Sequence, residues 1–118
     1  MPRPESIENR WDILYRDYPE VYEAFMNVPY QPSVFDQVPE IIDLHAKIIA
    51  DVGAGTGRSS LALARTARLV IGIEYEPAML RQAHQKACGE EAARLIYLSG
   101  DACAIPLADN AIDIVTGF

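Results

Sequence analysis

From Lys47 onward, short apolar runs alternate with turn residues and with longer amphipathic stretches. The segments 47–52 (KIIADV), 69–75 (LVIGIEY), 95–99 (LIYLS) and 112–118 (IDIVTGF) are rich in β-branched and apolar residues and are separated by turn residues and helices, the pattern of buried strands. Between the first three strands, 58–66 and 77–88 read as helices, the second opening on Pro77, which a first helical turn tolerates. Strands alternating with helices predict a parallel sheet joined by right-handed crossovers, an α/β fold. The stretch before Lys47 has a different pattern. Ile7, Trp11, Leu14 and Tyr15 fall three and four residues apart, which predicts a helix with one buried face. A second short helix is expected over Pro19 to Met26, and a third from Ser33 or Val34 to Leu44, bent near Pro39. The expected division is therefore a helical cap over 1–46 and an α/β portion over 47–118.

Composition narrows the class. The chain has 118 residues, 50% of them hydrophobic and 23% charged, which fits one soluble globular domain. No apolar run approaches the roughly 20 residues of a membrane-spanning helix, and MPRPESIENRWD lacks the apolar segment of a signal peptide. A cytoplasmic location with no membrane partner is expected. Two cysteines, Cys88 and Cys103, without CxxC spacing or a Cys/His cluster, give neither a disulfide framework nor a metal site and are expected to be buried or idle thiols. The net charge of −7 is uneven: residues 1–46 carry nine acids against three bases, residues 47–118 eight against seven. With no basic stripe to follow a phosphate backbone, a small molecule is the expected partner rather than a nucleic acid.

The chemistry concentrates in IIADVGAGTGRSSLALA, residues 48–64. Glycines at 53, 55 and 57 follow the first strand, where they let the backbone turn sharply and a ligand approach with no Cβ in the way. A dinucleotide fingerprint needs a glycine where Arg58 stands, and a P-loop needs Lys followed by Ser or Thr, which does not occur. The pattern is instead GxGxG with Asp51 two residues ahead.

Three segments in register, DVGAGTGR (51–58), VIGIEYEPAML (70–80) and LSGDACAIPLADNAIDIVTG (98–117), resemble the class I S-adenosylmethionine-dependent methyltransferases, most nearly the small-molecule branch called type 11. The third is similar to that family's GDAxxLPFxDxxFDxV run. The resemblance covers 48–118 and implies a Rossmann-like three-layer sandwich with sheet order 3-2-1-4, S-adenosylmethionine as cofactor, S-adenosylhomocysteine as product, and a small-molecule methyl acceptor. It further implies a cofactor site built from Asp51, Gly53, Ala54, Gly55, Thr56, Gly57, Glu74, Tyr75, Met79, Gly100, Asp101 and Ala102.

Each implied role has a physical reading and a structural competitor. Glu74 ends the second strand, and its carboxylate can accept from two vicinal ribose hydroxyls; the competing reading is a solvated acid. Asp101 can accept from the adenine amino group while the Ala102 N–H donates to a ring nitrogen; a turn-forming Asp is the competitor. Asp51 faces the cofactor's methionine ammonium or orients the loop, or both. Tyr75 and Met79 offer an aromatic face and a thioether, with core packing equally open for Met79. Ser59 and Arg58 open a helix, where a hydroxyl caps or solvates more often than it binds. The resemblance also makes Tyr15, Tyr18, Tyr22 and Tyr30 candidates for contacting the substrate or the methionine end of the cofactor, against a packing role for each. No base is required for every acceptor, His45 and His84 stand in unfavourable places, and no catalytic residue or metal is assigned.

The resemblance further implies that strands five to seven of the family sheet are absent from this chain, so the fourth strand is expected to be an exposed edge that pairs with a second copy or is covered by the amino-terminal helices. Two other functions stand beside the enzyme: a module that binds the sulfur cofactor without turnover, and an NAD-linked oxidoreductase, disfavoured by Arg58 and the third segment.

Overall fold

The computed structural model describes residues 11–26 and 34–118. The order of elements is α1 (Trp11–Asp17), α2 (Pro19–Met26), α3 (Val34–Ile41), β1 (Ile48–Val52), α4 (Arg58–Ala64), β2 (Leu69–Glu74), α5 (Pro77–Lys86), α6 (Gly89–Ala92), β3 (Leu95–Ser99) and β4 (Ile114–Thr116). The four strands form one parallel sheet in the order β3-β2-β1-β4, as the resemblance implies. Tyr30, Ile7 and Ser33 lie outside the described residues.

Side chains alternate across a strand, and the register lines them up in rows. Leu95, Val70, Ile49 and Ile114 form one row across the four strands. It packs on Leu44, Leu63, Ala64 and Ala67 to make the core, so the segment after α3 shares the core of the sheet. Two residues further along, the next row on the same face is Tyr97, Gly72, Asp51 and Thr116. A third row holds Ser99 and Glu74. Polarity therefore rises along one face toward the carboxyl ends of the strands. On the other face Ile73 is buried beside Gly100 and Pro106, whereas Val115 is 66% and Ile96 46% exposed.

Local chemistry sets the boundaries. Pro77 starts α5, and Glu76 caps it by accepting from the Ala78 N–H at 3.4 Å. The helix stops at Lys86 because Ala87 is extended, and a short α6 that the apolar pattern did not mark follows at Gly89, whose φ is +70°. The fourth strand is shorter than its apolar run: Asp113 exchanges main-chain and side-chain hydrogen bonds with Ile48, both 2.9 Å, and tethers the strand ahead of its ladder. Cys88 and Cys103 are free and exposed rather than buried. No described helix is long and apolar enough to cross a membrane, and no three described His, Cys, Asp or Glu residues are grouped to hold a metal.

Candidate functional site

The glycine loop leaves β1 and is fastened to β2. The N–H groups of Gly53 and Ala54 both donate to the Ile73 carbonyl, at 2.9 and 3.0 Å. The Gly55 N–H donates to Glu74 Oε1 at 3.0 Å, and Gly57 turns back to the Ala54 carbonyl at 2.9 Å. Four loop N–H groups are thus used within the protein, so the loop offers a ligand open backbone surface. A Cβ at Gly53 (φ +74°) would meet nothing within 4 Å, which is the clearance a ligand needs.

Gly57 is a glycine for another reason. A Cβ there would lie 2.3 Å from the Tyr97 hydroxyl, and one at Gly72 would lie 2.6 Å from Tyr97 Cδ1. The two glycines make a slot for the Tyr97 ring, which also meets His84 edge-on at 5.4 Å. In that slot burial, then the Asp51 charge, pushes the Tyr97 phenol up to about 12, while a hydrogen bond with Ser60 pulls the other way.

Asp51 is 1% exposed. Its Oδ2 accepts from the Ser59 and Ser60 hydroxyls, both at 2.6 Å, and its Oδ1 from Thr116 at 2.8 Å. Three hydroxyls compensate the buried carboxylate, which ties β1 to the first turn of α4 and to β4. Ser59, read from sequence as capping or solvated, turns inward, and so does Ser60.

Glu74 stands at the end of β2, part-buried, with Oε1 on Gly55 N–H and Oε2 accepting from the Glu76 N–H at 3.0 Å. A carboxylate has about four lone-pair directions, so two backbone donors fix its orientation and leave acceptor capacity. Gly100 binds the Glu74 carbonyl at 3.0 Å, bringing Asp101 and Ala102 alongside. Both are exposed, and Asp101 Oδ1 accepts from the Cys103 N–H at 2.9 Å, so the turn role is present. Tyr75 is 71% exposed beside them. Met79 is 2% exposed, its methyl beneath Gly55, a packed position.

The amino-terminal helices reach this end of the sheet. Glu23 of α2 accepts from the Thr56 hydroxyl in the loop and from the Lys86 ammonium of α5. Tyr15 and Tyr22 meet edge-on at 5.1 Å. Burial raises the Tyr22 phenol pKa, with Tyr15 adding to it and the Arg58 charge opposing. Tyr18 is 53% exposed. Tyr22, Phe35, Arg58 and Phe118 line, with the glycine loop, a cavity of about 100 Å³, smaller than the ~300–1,000 Å³ of pockets that enclose a whole ligand. Glu23, Ser60, Tyr97, Thr116 and Phe35 are the residues that sequence reasoning missed. Only Gly72, a glycine inside an apolar strand, signals one of them, the close approach of Tyr97.

A parallel sheet with a glycine loop after its first strand and an acid ending its second defines an α/β protein that binds its ligand at the carboxyl ends of the strands. The chain belongs to the methyltransferase domain family, whose model matches residues 49–118. It is 37% identical over 94 residues to a malonyl-[acyl-carrier protein] O-methyltransferase of Xylella fastidiosa, covering 78% of this chain and 31% of that protein. It is 29% identical over 113 residues to a demethylmenaquinone methyltransferase of Thermobifida fusca, covering 95% and 44%. Among solved structures, the CcbJ methyltransferase of Streptomyces caelestis superposes with a TM-score of 0.69 at 20% identity over 87% of this chain and 44% of that one. The chain thus spans less than half the length of these relatives.

Proposed function

We propose that this chain is the cofactor-binding portion of an S-adenosylmethionine-dependent methyltransferase acting on a small-molecule acceptor, with 1–46 as a cap on the α/β portion 47–118. The observation that carries the reading is Glu74, a carboxylate oriented by two backbone N–H groups at the end of β2, beside a loop with open space above Gly53. Its remaining acceptor capacity suits a pair of ribose hydroxyls. Asp101 and Ala102 stand on the β3 side, where the adenine would lie, and Gly53–Gly57 on the β1 side, where the amino-acid end would lie. In this reading Asp51 acts through the loop rather than on the ligand.

Held by Glu74, the glycine loop and the turn after β3, S-adenosylmethionine would supply an electrophilic methyl group to an acceptor lone pair. The work of the protein is positional, since aligning reacting atoms in a water-poor site lowers the barrier. The Glu74 and Ile73 tethers hold the loop, and α2 closes over it through Glu23 and Thr56. The names of the relatives, which act on a carrier-bound malonyl group and on demethylmenaquinone, support methyl transfer as the class.

Calorimetric titration of S-adenosylhomocysteine tests this. Glu74→Ala should weaken binding by about 1.5–3 kcal/mol, the range for hydrogen bonds to a charged group. Unchanged affinity would remove the ribose role. Stabilisation by NAD with silence toward both sulfur cofactors would overturn the assignment.

A further inference from the structure

Arg58 stands out among the cations of this site. Arg65 pairs with Asp36 at 3.4 Å and Lys86 with Glu23. Arg58 is half-buried at the start of α4, and no described carboxylate pairs with it. Its guanidinium lies instead 5.2 Å from the centre of the Phe35 ring. Phe35 packs edge-on against Phe118 at 5.3 Å, and Tyr22 lines the same cavity, whose other wall is the glycine loop over which the cofactor's amino-acid end would lie. In a chain with 17 acids and 10 bases, a guanidinium that faces a cavity and pairs with no described acid is a local reversal of the overall charge. A guanidinium is a planar fork of five N–H donors that matches a carboxylate or phosphate, and one partly withdrawn from water binds an anion more strongly than one in solvent.

Its place in the sheet says what that anion belongs to. With adenine toward β3, ribose at β2 and the amino-acid end over the β1 loop, the cofactor runs along the order β3-β2-β1, and the space beyond faces β4. Phe118 follows β4, and Phe35 belongs to α3, which packs on α4. Aromatic walls around a guanidinium suit a molecule with an apolar body and one anionic group better than they suit a zwitterionic amino-acid end. Resting on the cofactor reading above, we propose that the methyl acceptor is a small organic anion, its carboxylate or phosphate held by Arg58 and its apolar body between Phe35, Tyr22 and Phe118.

The test uses benzoate, phenyl phosphate and neutral benzamide as probes, titrated calorimetrically onto protein saturated with S-adenosylhomocysteine, and repeated with Arg58→Gln and Arg58→Lys. One or both anions should bind at least tenfold more tightly than benzamide. Arg58→Gln should erase that preference and Arg58→Lys should retain part of it, with S-adenosylhomocysteine affinity changed less than threefold in each. Which anion binds separates a carboxylate acceptor from a phosphate one. Equal binding of benzamide, or no probe binding to the loaded protein, overturns the proposal while leaving the cofactor reading intact. A tenfold loss of S-adenosylhomocysteine affinity in Arg58→Gln, with 5'-methylthioadenosine affinity unchanged, overturns it too, because Arg58 then serves the cofactor's own carboxylate. Failure of the unaltered protein to bind S-adenosylhomocysteine defeats the cofactor reading itself, and this proposal with it.

Discussion

Gly72→Ala should destabilise the protein, although an alanine in a strand is normally the better residue. A Cβ at position 72 would lie 2.6 and 2.7 Å from Tyr97 Cδ1 and Cε1 and 2.9 Å from Ser60 Oγ, against roughly 3.5–4.0 Å for unstrained carbon contacts. The ring must move by about an ångström, yet its hydroxyl lies against Gly57 and bonds to Ser60. Overpacking of this kind costs about 1–3 kcal/mol. Replacing glycine by alanine recovers about 0.4–1 kcal/mol through the unfolded chain. The expected net loss is about 1–2 kcal/mol, measured by urea unfolding followed by circular dichroism. In a Tyr97→Val background the ring is gone and only the Ser60 hydroxyl at 2.9 Å remains, so the same Gly72→Ala change should cost about 2 kcal/mol less. The two substitutions should therefore couple by about 2 kcal/mol, well beyond the ~0.5 kcal/mol scatter of independent sites. Equal effects of Gly72→Ala in the two backgrounds would refute the slot as the reason for glycine.

Three further outcomes are expected. The folded state holds the Tyr97 phenol neutral to about pH 12 against an unfolded value near 10, so its contribution to stability is complete below pH 10 and lost as pH rises through 12; Tyr97→Phe should lack that component, and an identical alkaline decline in both proteins would contradict it. Glu23→Ala removes the acceptor shared by Thr56 and Lys86 and should speed hydrogen exchange in α2 by an amount corresponding to about 1–3 kcal/mol, leaving β1 and β2 amides unaffected; unchanged α2 exchange would show that the contact does not hold the cap. If the β4 edge pairs with a second copy, the chain should sediment as a dimer and Val115→Lys, at a position 66% exposed, as a monomer; a monomeric unaltered chain rules that pairing out.

The strands and the larger helices were readable because apolar period is a property of consecutive residues, and β1, β2 and β3 fall within one residue of their apolar runs. The loop and Glu74 were readable for the same reason, as residues of contiguous motifs. Contacts across the fold were not. Nothing local separates Glu23 from the eight other acids of residues 1–46, and its meeting with Thr56 depends on how α2 settles over the loop. Ser59 read as a capping or solvated helix start, yet the approach of α4 to the second cross-strand row turns its hydroxyl and that of Ser60 onto Asp51. The reason for glycine at 57 was hidden because the ring that occupies its space comes from 40 residues further along, on β3.

The loop's attachment to β2 rather than to its own strand has a consequence for engineering. Ile73 and Glu74 carry the loop on one side and Gly100 on the other, so the ends of three strands are laced sideways into one plate. A residue inserted in β2 ahead of Ile73 would displace the anchors of the glycine loop and of Gly100 together, and no compensating change in the loop alone would restore both. A site with this lacing is portable between proteins only as a whole, with the turn after β2 included in the graft.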